Sequence, residues 1–145
     1  MYKRIPVVAL LVVGMLTLAC APKYARQDPV VLMRLVDMRT RTDSFLAQVE
    51  QAYYRSEADY SEFREFYPQM YADVEFLQKR ADSAEHNEEM QKELELLRAQ
   101  FISLERIHQM GFQWPEEFSM LKNAFEASFD AIITLEESKP RSPLP

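Results

Sequence analysis

Cysteine, glycine and histidine are the residues that this chain of 145 nearly lacks. It contains one cysteine, two glycines and two histidines. A single cysteine excludes an intrachain disulfide and a c-type haem attachment. Gly111 is the only glycine after residue 14, so the chain has little material for glycine-rich phosphate loops or tight hairpins. The stability of the fold must therefore come from the packing of apolar side chains.

Residues that could support catalysis or metal binding are also scarce. Glu105 and His108 form one Glu-x-x-His turn, whereas a di-iron bundle needs two such turns and further glutamates on facing helices. The other histidine, His86, has no matching partner in the sequence. Nucleophilic catalysis would need an oxyanion hole, and a glycine-poor helical chain offers no turn to build one. We therefore predict no enzyme activity, no cofactor and no metal site.

An apolar leader precedes the single cysteine. Lys3 and Arg4 supply a short basic start, residues 5–19 are almost wholly apolar, and Cys20 follows. A basic start, an apolar stretch and a small residue at its end are typical of a secretory signal. The stretch is shorter than the roughly 20 apolar residues that span a membrane. An ordinary signal peptide or an uncleaved anchor with an incidental cysteine is the alternative interpretation.

The end of this leader, Leu16-Thr17-Leu18-Ala19-Cys20, resembles the signal of bacterial lipoproteins, although Thr17 stands where leucine is usual. The resemblance implies that residues 1–19 are removed and that Cys20 is acylated and becomes the first residue. Ala21, where an aspartate would signal retention in the inner membrane, implies the periplasmic face of the outer membrane in a Gram-negative cell. The resemblance ends at residue 21 and implies nothing about the domain that follows.

The chain that remains after residue 19 is acidic. Removal of the leader takes away Lys3 and Arg4 but no acidic residue, which leaves 15 basic against 23 acidic residues. A net charge near −8 argues against binding to nucleic acid or to anionic lipid. Attachment to the membrane is therefore assigned to the lipid on Cys20.

Apolar residues at alternating steps of three and four predict an all-α fold. Four such segments follow one another with short links, so the simplest arrangement is an antiparallel bundle of about four amphipathic helices. The four stripes begin at Val31, Tyr60, Met90 and Phe118. We assign residues 20–28 to a lipidated tether, residues 29–137 to the helical bundle and residues 138–145 to a disordered proline-rich tail.

Helix boundaries are predicted near residues 55, 87 and 111–115. The segment Ser56-Glu-Ala-Asp59 resembles a capping box led by Ser56, and Asn87 is suited to cap the third helix. Gly111 and Pro115 mark the clearest boundary. Residues 29–85 form either two helices or one bent helix, because neither glycine nor proline separates their two stripes.

Pro68 interrupts the second stripe. Inside a helix it would remove a backbone hydrogen bond and clash with the preceding turn. We therefore predict a kink or a helix restart near Tyr67.

Several large apolar residues lie away from the predicted core stripes. Phe76, Leu96 and Ile107 are the candidate contacts for a partner, since a second apolar strip often marks an interaction surface. Two hypotheses for the function follow. The first is a lipid-anchored protein that contacts another envelope protein without catalysis. The alternative is a binder of a small apolar ligand in a pocket lined by aromatic residues, with Tyr60, Phe63 and Tyr67 as candidate lining.

Overall fold

The computed structural model of this protein describes residues 25–141. The predicted leader and Cys20 lie outside the described residues. Residues 25–141 contain five α-helices and no strand, which confirms the predicted all-α class. The helices are α1 (Pro29–Tyr54), α2 (Tyr60–Phe63), α3 (Phe66–Asp82), α4 (Glu88–Met110) and α5 (Glu116–Ser138).

Helix α1 begins at Pro29 and ends at Tyr54. The carboxylate of Asp28 accepts a hydrogen bond of 2.9 Å from the Val30 N–H, and Pro29 needs no such bond because it has no N–H. After α1 the chain turns through residues 55–59. The sequence therefore divides into separate helices here rather than into one bent helix.

Ser56 does not cap the next helix, contrary to the sequence-based prediction. Its backbone is left-handed, with φ of 59°, so its side chain is not at the position that a capping residue takes. Asp59 is the cap instead, and its carboxylate accepts a hydrogen bond of 2.8 Å from the N–H of Ser61. Asp59 takes the N-cap position because its ionised carboxylate is a strong hydrogen-bond acceptor for the free N–H groups at a helix N-terminus.

The second predicted helix is divided into α2 and α3, so the described chain has five helices rather than about four. Pro68 is the third residue of α3, which begins at Phe66. The first amides of a helix have no intrahelical partner, so Pro68 costs no hydrogen bond in this place. The predicted restart near Tyr67 is confirmed.

The remaining two breaks lie where the sequence predicts them. Asn87 directly precedes α4, but its side-chain amide donates to the Ala81 carbonyl at 3.3 Å and does not cap the helix. Gly111 follows α4 with a positive φ of 83°, a conformation that glycine adopts without strain. Pro115 lies directly before α5.

The helices pack around one core. Helix α1 contacts α3 and α5, and α4 contacts the same two helices from the other side. The predicted stripes supply nearly all of the buried side chains, and Leu97 and Phe125 are among them. Rings dominate the half of the core next to α2, where Phe45 is stacked on Phe66 with 3.8 Å between ring centroids. The molecule is a helical bundle over the residues that are described.

Both chain segments that were assigned outside the bundle contribute to it. Ala25 is buried, although the predicted tether includes it. Lys139 and Pro140, assigned to the disordered tail, form hydrogen bonds to Asn87 and to Gln27. The bundle therefore extends beyond residues 29–137 at both ends, because these contacts join residues far apart in the sequence.

Candidate functional site

Leu96 lies in an apolar groove between α4 and α5. Its side chain is 60% exposed although it is large and apolar. The groove has a volume of about 450 Å³. Leu121, Ala124 and Ser128 of α5 form the opposite wall, and the ring of Phe125 lies beneath. The lining is mostly apolar, so a partner that fills the groove would remove apolar surface from water.

Ile107 shares the helix face of Leu96 but is less accessible. Ile107 lies eleven positions after Leu96, which places the two about 20° apart around α4 and roughly 16 Å apart along it. Ile107 is partly buried and packs against the core. The structure therefore brings Leu96 and Ile107 to one side of the bundle, with only Leu96 open to solvent.

Phe76 lies on a different side, at the contact between α1 and α3. Its ring is partly buried, and the guanidinium groups of Arg34 and Arg80 lie 5.2 and 5.7 Å from the ring centroid. Cations over an aromatic face are attracted to it. A partner at Phe76 would have to displace these arginines, and it would not reach Leu96 at the same time.

The aromatic residues proposed as a ligand pocket form a packed cluster around His108. The rings of Tyr60, Phe63 and Tyr67 lie with their centroids 5.6 to 6.0 Å from that of His108. These are ordinary distances for rings in direct contact. The hydroxyl of Tyr67 and Nδ1 of His108, 2.8 Å apart, share a hydrogen bond. The three candidate lining residues are therefore in direct contact with His108 and with the core.

Glu105 holds Tyr60 of this cluster and one further tyrosine, Tyr71. Its carboxylate accepts hydrogen bonds from the hydroxyls of Tyr60 at 2.6 Å and Tyr71 at 2.5 Å. Burial, with Glu105 as a further cause, raises the pKa of Tyr71, and the bond to Glu105 raises that of Tyr60. Both hydroxyls therefore stay protonated near neutral pH and act as donors that hold α2 and α3 against α4.

The Glu105–His108 turn is thus part of the packing. Within residues 25–141, no three His, Cys, Asp or Glu side chains converge as the ligands of a metal ion would. Among the same residues, none of the helices has the length and apolar character needed to cross a membrane.

His108 predicts a specific dependence of stability on pH. Burial lowers its pKa below the ordinary value, although the backbone of Ala58 and the charge of Asp59 act in the opposite direction. The unfolded chain therefore binds a proton near pH 6.5 that the folded chain does not. The contribution of His108 to the free energy of unfolding should be fully present above about pH 6.5. It should fall as the pH drops towards the pKa of His108 in the folded protein.

Urea unfolding at pH 7.5 and pH 5.5 measures this effect. His108→Gln should lose less stability between the two pH values than the unsubstituted protein loses. His86→Gln is the matched control, since His86 is exposed. Equal losses in all three proteins would contradict the role assigned to His108.

The sequence analysis did not identify the α5 wall of the groove. Leu121, Ala124 and Ser128 are small or apolar residues at steps of three and four. Met120, which is 69% exposed, continues that side of α5. Leu121 and Ser128 belong to the apolar stripe that begins at Phe118 and was assigned to the core, so their spacing did not indicate an open groove.

Comparison of the chain with protein-family models, with curated proteins and with solved structures gives no match.

Proposed function

We propose that this protein is a bacterial lipoprotein, anchored through acylated Cys20, that contacts another envelope protein without catalysis. Its place is the periplasmic face of the outer membrane, and nucleic acid is not among its partners. The leader that ends at Cys20 supports the anchor, and the acidic balance of 15 basic against 23 acidic residues supports the exclusion of nucleic acid.

We also propose that α1, α3, α4 and α5 run up and down as an antiparallel four-helix bundle. Ion pairs join Arg39 to Asp130 at 2.6 Å and Lys122 to Glu50 at 2.5 Å, so the order of contacts along α1 is reversed along α5. The same reversal holds between α4 and α5. Rings that come later in α4, or just after it, contact rings that come earlier in α5. Short loops between helices of similar length favour this topology.

The groove at Leu96 is the observation that carries the proposal of a contact function. A leucine that is 60% exposed beside Leu121 and Ala124 leaves apolar surface in water without benefit to the fold. Its burial by a partner would contribute about 25 cal/mol for each Å² covered. The groove is open to solvent along the contact between α4 and α5, and an open apolar groove can take the apolar ridge of a partner helix.

Membrane attachment is tested by Cys20→Ser. The acyl chains are assigned to the Cys20 sulfur and to the new N-terminus, so serine at this position removes the anchor. We expect the variant either to leave the membrane fraction or to remain as a precursor that is larger by residues 1–19. Fractionation and immunoblotting of cell envelopes measure both. A variant of mature size that still sediments with membranes would contradict the anchor.

The contact surface is tested by Leu96→Glu. A photo-crosslinker placed at Ser128 should yield a discrete adduct with an envelope protein, and Leu96→Glu should abolish that adduct, because a partner would have to bury a carboxylate. The melting temperature should stay unchanged, since Leu96 is exposed.

Met33→Glu is the matched control, because Met33 is 69% exposed on α1, away from the groove. It should leave the adduct intact. Loss of the adduct in both variants, or an adduct that survives Leu96→Glu, would contradict the groove as the contact site.

A further inference from the structure

The first described residues, 25–28, form a strap across one end of the bundle. Ala25 is only 6% exposed. The N–H of Gln27 donates to the carbonyl of Pro140 at 3.0 Å, and the N–H of Asp28 donates to Glu136 Oε1 at 2.6 Å. The strap is therefore held by residues that lie more than 100 positions later in the chain.

Charged side chains fix the strap at the same place. The carboxylate of Asp28 pairs with Arg80 at 2.5 Å. Lys139 pairs with Glu136 at 2.6 Å and donates to Asn87 at 2.7 Å. The carboxylate of Glu136 is 1% exposed and the ammonium side chain of Lys139 is 10% exposed. We call the end that these residues share the strap end; it comprises residues 80–90 and 136–141.

The strap shortens the chain that connects the bundle to the predicted anchor. Ala25 lies five positions after Cys20, and five residue steps span at most about 18 Å when fully extended. A free segment from Cys20 to Pro29 would span about 32 Å. The contacts of residues 25–28 with the bundle thus shorten the maximum length of the free tether by almost half.

We propose that the strap end is the surface of the bundle that faces the lipid bilayer. This inference rests on the proposed acylation of Cys20. The partner of this surface is the membrane itself, because a chain of five residues cannot carry the anchor around the bundle to its opposite end. Helix α4 alone is about 34 Å long. The opposite end, which carries the exposed side chains of Tyr54, Met110 and Trp114, points away from the membrane.

The orientation limits how far the groove can lie from the membrane. Leu96 lies eight residues after Glu88, which is about 12 Å along α4 from the strap end. With the tether added, Leu96 stays within roughly 30 Å of the anchor point. A partner that fills the groove must therefore bind within about 30 Å of the membrane.

Energy transfer to a lipid headgroup tests the orientation with the acylated full chain in vesicles. Trp114 is the only tryptophan, is 65% exposed and lies at the end opposite the strap. The second donor is the Trp114→Phe/Glu85→Trp variant, because Glu85 is exposed at the strap end. The vesicles contain phosphatidylethanolamine and phosphatidylglycerol with a dansyl-labelled headgroup as the acceptor.

We expect several-fold more efficient transfer from position 85 than from Trp114. Equal transfer, or more transfer from Trp114, would overturn the orientation. Flotation of the vesicles distinguishes a wrong orientation from a missing anchor. A protein that does not float with the vesicles lacks the lipid attachment, and that result would also overturn the inference.

Hydrogen exchange tests the strap without any membrane. The amides of Gln27 and Asp28 should exchange slowly in the full chain, and Arg80→Gln should accelerate their exchange. The same substitution, introduced with Trp114→Phe and Glu85→Trp, should reduce transfer to the headgroups because it lengthens the tether. Fast exchange in the unsubstituted protein would show that the strap is not docked and would overturn the inference.

Discussion

Leu97→Ala is expected to lower the free energy of unfolding by about 2–5 kcal/mol, because it removes buried methyl groups and leaves a cavity. Leu97 is fully buried between α4 and its neighbours. Its position in the middle of a 23-residue helix leaves the backbone little room to close the gap. Urea denaturation followed by far-ultraviolet circular dichroism measures the loss.

The neighbouring leucine provides the control for this measurement. Leu96→Ala changes the same residue type one position earlier, where the side chain is 60% exposed. The free energy of unfolding should change by no more than about 0.5 kcal/mol. Similar losses in the two variants would show that the buried and exposed faces of α4 are assigned incorrectly. The pair therefore tests the core and the groove together.

Lys139→Met is expected to lower the free energy of unfolding by about 3–5 kcal/mol. The ammonium group lies between Glu136 at 2.6 Å and Asn87 at 2.7 Å, and Glu136 is almost fully buried. Its removal leaves a buried carboxylate without its cation, which costs more than the lost attraction itself. Chemical denaturation at neutral pH measures the change.

Two further variants decide whether burial is the cause. Lys79→Met removes a cation whose pair with Glu75 is exposed, and it should have no measurable effect. A Glu136→Met/Lys139→Met double variant should recover part of the loss, because neither buried charge remains. If the double variant is less stable than Lys139→Met alone, desolvation of the carboxylate is not the main cause of the loss at this end of the bundle.

The helices could be predicted from the sequence because their signals are local. The three-and-four spacing of apolar residues identified the buried faces, and Leu97, Phe101 and Phe125 are buried as the stripes require. Pro68 predicted the restart of a helix for a reason contained in one residue, its missing N–H. Ser56 failed as a cap because two nearby residues competed for one helix start, and spacing alone does not rank them.

The strap and the groove could not be predicted in the same way. The bond from Asp28 to Glu136 joins residues 108 positions apart, and no local pattern records it. Phe76, Leu96 and Ile107 share the property of lying off a stripe, yet only Leu96 is open to solvent. The distinction depends on which neighbouring helix covers each position. That information belongs to the packing and not to any one helix.

The hydrogen bond between Gln27 and Pro140 has a topological consequence: the two ends of the described chain meet. A short linker from residue 141 to residue 25 would close the chain into a ring with little loss of loop entropy. New ends could then be opened in the exposed segment from Gln113 to Pro115. Such a permuted chain would keep the same bundle but carry its lipid at the opposite end. The orientation of the groove relative to the membrane would then be reversed.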